Sequence, residues 1–234
     1  MMTRPLIFIP TYNERKNVES ICADIRAQGL EVDILFLDDN SPDGTGDILD
    51  RLADKHPNIH VIHRAEKSGI GSAHQAGIRW AYDRNYATLI TMDCDHTHSP
   101  SHLPALLAAS QDCQVVIGSR YMREDSMRDW HPFRRALTRI AHLLTTRLLK
   151  MPHDATGAYR LYRLDRIPRQ LFDLVRSKSY SFFFESLYVM QANSLVIREV
   201  PVVLLSRTVG NSKMSPRDAI RSTGHLLYLF MTHL

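Results

Sequence analysis

The chain has 234 residues, 44% of them hydrophobic and 23% charged, enough to bury a substantial core in one larger domain. Its three cysteines, Cys22, Cys94 and Cys113, lie far apart with no CxxC pair, which argues against a disulfide framework or a cysteine zinc site and fits a reducing cytosol. The formal net charge of +4 is the sum of opposed parts: residues 1–119 hold 10 Lys and Arg against 16 Asp and Glu, residues 120–169 hold 12 against 5, and the remainder 7 against 4. Such a division is either scattered solvated charge or a front half that collects cations and a back half that collects phosphates or an anionic membrane surface.

The elements follow in chain order. "PLIFIP" (5–10) predicts a buried strand, residues Glu14 to Gln28 a helix, and "VDILFLDD" (32–39) a second strand. A helix is expected over Thr45 to Lys55, a short strand at "IHVIH" (59–63), and a helix entered through glycines at "GSAHQAGIRWAYDR" (71–84). "ATLITMD" (87–93) and "CQVVIGS" (113–119) complete five strands, separated by a helix near Pro100 to Ser110. This βαβ series implies a mainly parallel sheet with helices on both faces. Beyond 120 the pattern reads as helical, with Leu137, Ile140, Leu144 and Leu148 on one side and Arg135, Arg139, His142 and Thr146 opposite. Arg134 and Thr138, four apart, share the flank between. No repeat or linker divides the chain, so one domain is expected, with residues 1–119 and 120–234 as its two halves. No run approaches the ~18 apolar residues of a membrane span, and "MMTRPLIFIP" is too short in apolar residues for a secretory segment.

In parallel sheets ligands sit outside the carboxyl ends of the strands. Three strands here end in polar turns that should share one rim: "PTYNE", "DDNSPDGT" and "DCDHTH". The last admits three readings. Asp93, Asp95 and Thr97 match the DxDxT loop of aspartate-nucleophile phosphatases, but that chemistry needs a further acidic pair after a later strand, and Glu124-Asp125 follows "SRYMR" instead. His96 and His98 would serve zinc or iron, but in extended chain their rings point to opposite sides. Asp93 and Asp95 together offer hard oxygens to Mg2+ or Mn2+, which take few protein ligands and complete their shell with substrate phosphates; the bland alternative is a cap for the helix opening at Pro100.

Taken together, "PTYNERKNV" (10–18), "LDDNSPDGT" (37–45), "GIGSAHQAG" (69–77), "MDCDHTHSP" (92–100), "GSRY" (118–121), Trp130 with Arg134-Arg135, "DATGAYRLYR" (154–163) and "RTVGNSK" (207–213) run nearly end to end. In these segments the chain resembles the family 2 glycosyltransferases and, within them, the dolichol-phosphate mannose synthases. The resemblance implies a GT-A type, Rossmann-like α/β fold with a basic helical C-terminal part. It also implies a metal-dependent, inverting transfer of mannose from GDP-mannose to a polyprenyl phosphate, without nucleic acid. By position, Pro10, Tyr12 and Glu14 would line base and ribose together with Asp39 and the backbone near Leu37. Asp93, Cys94 and Asp95 would face the diphosphate, with Asp95 the principal metal ligand. Arg207 and Lys213 would close over the donor, while Arg120, Arg134 and Thr138 would hold the acceptor phosphate.

Three departures are chemically mild. Thr97 stands where the family often has Gln or Ser, leaving a weaker hydroxyl or water contact to the metal; Thr138 replaces a usual serine, and "TGAYR" replaces "SGFR". Asp154 and Glu185 are assigned to an active-site floor or a helix terminus, with Glu185 expected to be buried behind "SFFF", and Arg160 and Arg163 are open to a surface reading. A lipid acceptor implies peripheral contact with the cytoplasmic face of a membrane, through either an interfacial helix at 216–234 or a membrane-bound partner subunit. A terminal helix packed on the sheet is the competing reading for 216–234.

Overall fold

The structure, a computed structural model, describes residues 4–205 and 215–232. The first half alternates strand and helix: β1 (Leu6–Thr11), α1 (Val18–Ala27), β2 (Asp33–Asp38), α2 (Thr45–Lys55), β3 (Ile59–His63), α3 (Ile70–Asp83), β4 (Thr88–Thr91), α4 (Leu103–Ala109) and β5 (Val115–Ser119). The second half adds α5 (Pro132–Leu148), β6 (Arg160–Arg163), α6 (Gln170–Asp173), α7 (Phe182–Ala192), β7 (Ile197–Pro201) and α8 (Pro216–Thr232).

All seven strands form one sheet in the order β3-β2-β1-β4-β6-β5-β7. Every pairing is parallel except those of β6, which runs antiparallel between β4 and β5. The two-residue period of the strands divides the core. Leu6, Phe8, Leu35 and Leu37 face one side, with Ala73 and Ile78 of α3, Phe182 and Leu187 of α7, and Leu226 and Leu229 of α8. Ile7, Ile9, Ile34 and Phe36 face the other, with Ile21 of α1, Ile48 of α2 and Leu106 of α4. The α/β architecture with helices on both faces is as the sequence implied.

Four expectations are corrected. The first helix begins at Val18, not Glu14, because residues 14–17 form a turn in which the Glu14 carbonyl accepts the N–H groups of Asn17 and Val18 at 2.8 and 3.2 Å. The second half is not purely helical: β6, "RLYR", hides from a hydrophobicity pattern because it carries arginine at both ends, and β7, "IREVP", is a half-exposed edge strand. Arg160 is not a surface charge. Its side chain is fully buried, donating to the Ala155 carbonyl at 2.8 Å and to Ser186 Oγ at 3.2 Å. Finally, α5 does not bury its leucine row: Leu144 and Leu148 pack partly against the core, but Leu137 and Ile140 are exposed. The C-terminal α8 packs on the core through Leu226 and Leu229, as the packed-helix reading of 216–234 has it, while Ile220, Leu227 and Met231 are exposed.

Two glycines define opposite packing limits. A Cβ at Gly77 would lie 2.4 Å from Cε2 of Phe8, whereas one at Gly224 in α8 meets nothing within 4 Å. Gly77→Ala is therefore expected to destabilise the chain by about 1–3 kcal/mol through overpacking, and Gly224→Ala to stabilise it by up to ~1 kcal/mol through helix propensity. Urea midpoints of the two variants check both signs.

Candidate active site

The strand order reverses at β1, whose chain neighbours lie toward β2 on one side and β4 on the other, and such a switch point opens a crevice at the carboxyl ends. Thr11 pairs with Asp38, and Phe8 with Thr91, so the turns after β1, β2 and β4 share one rim as expected. Tyr12, Asp39 and the Asp93–Thr97 loop are thereby brought together.

On the β1–β2 side of the rim, Pro10 and Tyr12 are half-buried at the end of β1. Lys67 places its ammonium 4.0 Å from the centre of the Tyr12 ring. Glu14 is buried and accepts from Asn17 Nδ2 at 2.6 Å. Leu37 is fully buried and its carbonyl accepts the Thr11 hydroxyl at 3.1 Å. Asp38 is consumed by structure, accepting from Thr11, from Ser41 Oγ at 2.5 Å and from Ser41 N–H at 3.0 Å. Asp39 accepts from Arg64 Nε at 2.5 Å, and Arg64 also donates to Ser72 Oγ at 2.8 Å. Arg64 and Lys67 were missed in the sequence. Their signal was their place just past the carboxyl end of β3, on the same rim.

The carboxylate loop is held from both sides. His96 adopts φ +61° and contacts Ser20 Oγ at 2.8 Å and Asp24 Oδ2 at 3.3 Å on α1. His98 is buried, stacks on Tyr159 with 4.9 Å between ring centres, and accepts the Asp93 N–H at Nδ1 over 2.9 Å. Its Nδ1 is therefore unprotonated and the proton sits on Nε2. The segment is bent rather than extended, so strand alternation does not apply to it; the two imidazoles take different partners, His96 on α1 and His98 on Tyr159, and both anchor the loop. Cys94 is buried in the core on the α1 side of the sheet.

Asp93 is about one-third exposed at its side chain, and Asp95 is nearly buried, with Oδ1 accepting the Thr97 N–H at 3.1 Å. Thr97 Oγ1 is buried without a hydrogen-bond partner, which leaves the hydroxyl oxygen free to take part in a cation site. Among the described residues no three His, Cys, Asp or Glu side chains converge as a complete metal cage. Two carboxylates and a hydroxyl do fit Mg2+ or Mn2+, whose remaining positions go to phosphate oxygens and water.

On the other side of the rim, Arg120 follows β5 and is buried against Asp154, donating from its main-chain N–H at 3.0 Å and from Nε at 2.7 Å, with Nη2 bridging Asp154 Oδ1 and Thr156 Oγ1. Burial alone would raise the Asp154 pKa, but the charge and hydrogen bonds of Arg120 outweigh it and hold the carboxyl below its usual range. Arg134, exposed at the start of α5, lies over the Trp130 ring at 3.7 Å, and Thr138 is one turn further on. Glu185 is buried, as expected. Burial would raise it, but His225 at 3.0 Å and the N–H groups of Arg176 and Ser177 lower it. Glu199 behaves alike: burial raises it, while His153 and the Asp154 N–H lower it. Arg163 pairs with Asp165 at 2.7 Å. Arg207 and Lys213 lie outside the described residues.

The fold is that of GT-A type glycosyltransferases. Over 99% of this chain and 64% of the other, it is similar at a TM-score of 0.58 and 17% identity to the mannosyltransferase PcManGT from Pyrobaculum calidifontis, solved with GDP-Man and Mn2+. It is also similar, at 0.56 and 15% identity over 96% and 76% of the two chains, to glucosyl-3-phosphoglycerate synthase from Mycobacterium tuberculosis. The model of glycosyl transferase family 2 matches residues 6–167, and the chain belongs to that family. It is 38% identical to an undecaprenyl-phosphate mannosyltransferase of Micrococcus luteus, over 91% of this chain and 88% of that one. It is 39% identical to a polyprenol monophosphomannose synthase of Mycolicibacterium smegmatis, over 91% and 81%. The chain is thus a glycosyltransferase, and the DxDxT pattern is not that of a phosphatase.

Asp154→Asn should leave Arg120 buried without its countercharge and cost about 3 kcal/mol or more in a urea titration. Asp154, Glu185 and Glu199 are each depressed in the folded chain. The stability they confer is therefore complete above the ordinary carboxylate range and is lost as pH falls below about 4 toward their folded values. Thermal melts between neutral and acid pH should show this loss in the wild type, and a smaller one in Asp154→Asn.

Proposed function

We propose that the chain transfers mannose from GDP-mannose to the phosphate of a polyprenol, with inversion at the anomeric carbon and a divalent cation, Mg2+ or Mn2+, held by Asp93, Asp95 and the Thr97 hydroxyl. Two relatives that match nearly the whole chain carry mannosyltransferase names with polyprenyl acceptors, and they support the sugar and the acceptor. The observation that carries the mechanism is the state of the second-half carboxylates. Asp154, Glu185 and Glu199 are each tied to cations or N–H groups and kept ionised at low pKa, so they make weak bases. An acceptor hydroxyl would need a base. A phosphate monoester, with its second pKa near 6, arrives as a dianion and needs only to be aimed.

Donor and acceptor use different sides of the rim. Tyr12, Glu14 and Asp39, the last fixed by Arg64, take the nucleoside. A divalent cation held by Asp93, Asp95 and the Thr97 hydroxyl would supply positive charge for the departing diphosphate, and Arg207 and Lys213 are assigned to the same leaving group. Asp93 and Asp95 orient the diphosphate so that the anomeric carbon faces α5. There Arg134, stiffened by its stack on Trp130, grips the acceptor phosphate with a planar fork, and Thr138 adds a hydroxyl. Arg120, already paired, supplies residual positive potential and shapes the loop at 154–157. Holding the two substrates in line contributes through lost translational freedom. The two halves of the chain act as one catalytic domain, at the cytoplasmic face of a membrane.

Incubating purified protein with labelled GDP-mannose or other sugar nucleotides, a short polyprenyl phosphate and Mg2+ or Mn2+ tests this directly, the product being acid-labile and partitioning into butanol. Label transferred equally from other sugar nucleotides, or only to water-soluble glycans, would overturn it. Asp95→Ala should lower kcat by about 10²–10³ or more and abolish Mn2+ binding seen by electron paramagnetic resonance. Arg134→Lys should raise the KM for the acceptor about tenfold while leaving that for GDP-mannose unchanged.

A further inference from the structure

Away from the rim, a recess of about 200 Å³ opens between α3 and α6. Its floor is apolar and buried, made by Ile78, Phe172 and Val175, while four exposed cations, Arg79, Arg169, Arg176 and Lys178, stand around it. Asp173 is the one carboxylate in the lining. Arg169 spends its charge outside the recess, on Asp83 at 2.6 Å, and Arg176 donates to a neutral group, the Tyr228 hydroxyl, at 3.1 Å. Setting Arg169 aside, Arg79, Arg176 and Lys178 face Asp173 alone, a surplus of two positive charges. Like charges gathered around one recess repel, and an anion seated among them removes that repulsion.

The wall that carries Arg176 and Lys178 is fixed by its own hydrogen bonds. Glu185 accepts the N–H groups of Arg176 and Ser177 at 3.0 and 2.8 Å, Gln75 Nε2 donates to the Val175 carbonyl at 2.8 Å, and the Lys178 carbonyl accepts the Ser72 N–H at 3.2 Å. The wall is also packed tightly against the start of α3: a Cβ at Gly71 would lie 2.7 Å from the Ser179 carbonyl oxygen. Backbone already held in place loses little freedom when a ligand arrives.

Size and charge bound the ligand. Pockets that enclose drug-sized molecules run from about 300 to 1,000 Å³, so this recess is too small to enclose a nucleotide but has room for a phosphate group with a short organic body. Guanidinium forks and an ammonium suit phosphate oxygens, and a phosphate monoester carries close to two negative charges at neutral pH, matching the surplus. We infer that the recess between α3 and α6 binds a phosphate dianion, at a site separate from the carboxylate rim. This inference is independent of the proposed mannosyl transfer.

The test uses the full chain without donor, acceptor or divalent cation. Thermal midpoints are compared in phosphate, glycerol 3-phosphate and chloride at equal ionic strength and neutral pH, because a ligand that binds the folded chain raises the midpoint with its concentration. The wild type should show a saturable rise with phosphate or its ester beyond that in chloride. Arg79→Gln/Lys178→Gln should weaken the affinity about tenfold or more with the midpoint in chloride unchanged, both positions being exposed. Asp173→Asn should strengthen it, and Arg134→Gln, at the start of α5, should leave it as in the wild type. Short-chain phosphatidic acid that binds more tightly than glycerol 3-phosphate would place the phosphate on a lipid headgroup; if it binds no more tightly, the phosphate is that of a small soluble molecule. No saturable rise in the wild type, a rise that survives Arg79→Gln/Lys178→Gln, a rise lost in Arg134→Gln, or weaker binding in Asp173→Asn overturns the site.

Discussion

The pairing of Arg120 with Asp154 is the interaction on which the β5–β6–β7 side of the rim depends. One carboxylate takes the main-chain N–H, Nε and Nη2 of a single arginine, and the N–H of Asp154 in turn reaches Glu199 at 2.8 Å. The exit of β5, the loop before β6 and the edge strand β7 are thereby joined at one buried point. A buried pair of this kind is poor evidence for added stability, but it fixes geometry, and it removes a strong base from the neighbourhood of the reaction. Charge differs across the rim: Asp154 and Glu199 are cancelled in place by basic side chains and N–H groups, while the Asp93 side chain is about one-third exposed.

The carboxylate loop relies on a different device. Asp93 and Asp95 sit on a loop tied down by histidines. His96 reaches α1 and His98 holds the Asp93 main chain from within the core. Histidines beside an acidic motif invite a metal-ligand reading. Here they serve as props, and their partners, a serine and an aspartate on α1 for His96 and the Asp93 main chain for His98, are what separates the two roles.

Much of this was legible beforehand. The five strands of the first half, the rim they share and the position of the carboxylates follow from apolar runs closed by polar turns. What escaped did so for identifiable reasons. Strand β6 escaped because its ends are arginines, one of which is buried by hydrogen bonds to a carbonyl and a hydroxyl, an arrangement no hydropathy pattern signals. The exposure of α5 escaped because periodicity shows that a helix has two faces without showing which one the protein keeps. Arg64 escaped because its partner, Asp39, is 25 positions away in sequence.

The antiparallel strand has a consequence for how the molecule is made. In the finished sheet β5 touches only β6 and β7, both of which leave the ribosome later. The β3-β2-β1-β4 block can assemble as its residues emerge, but β5 must wait as an unpaired apolar segment, "VVIGS", until residues 160–163 arrive to bridge it to β4. Closure of that loop carries the entropy of a long-range contact. The interval between synthesis of β5 and β6 is the period in which this chain is most open to misassociation.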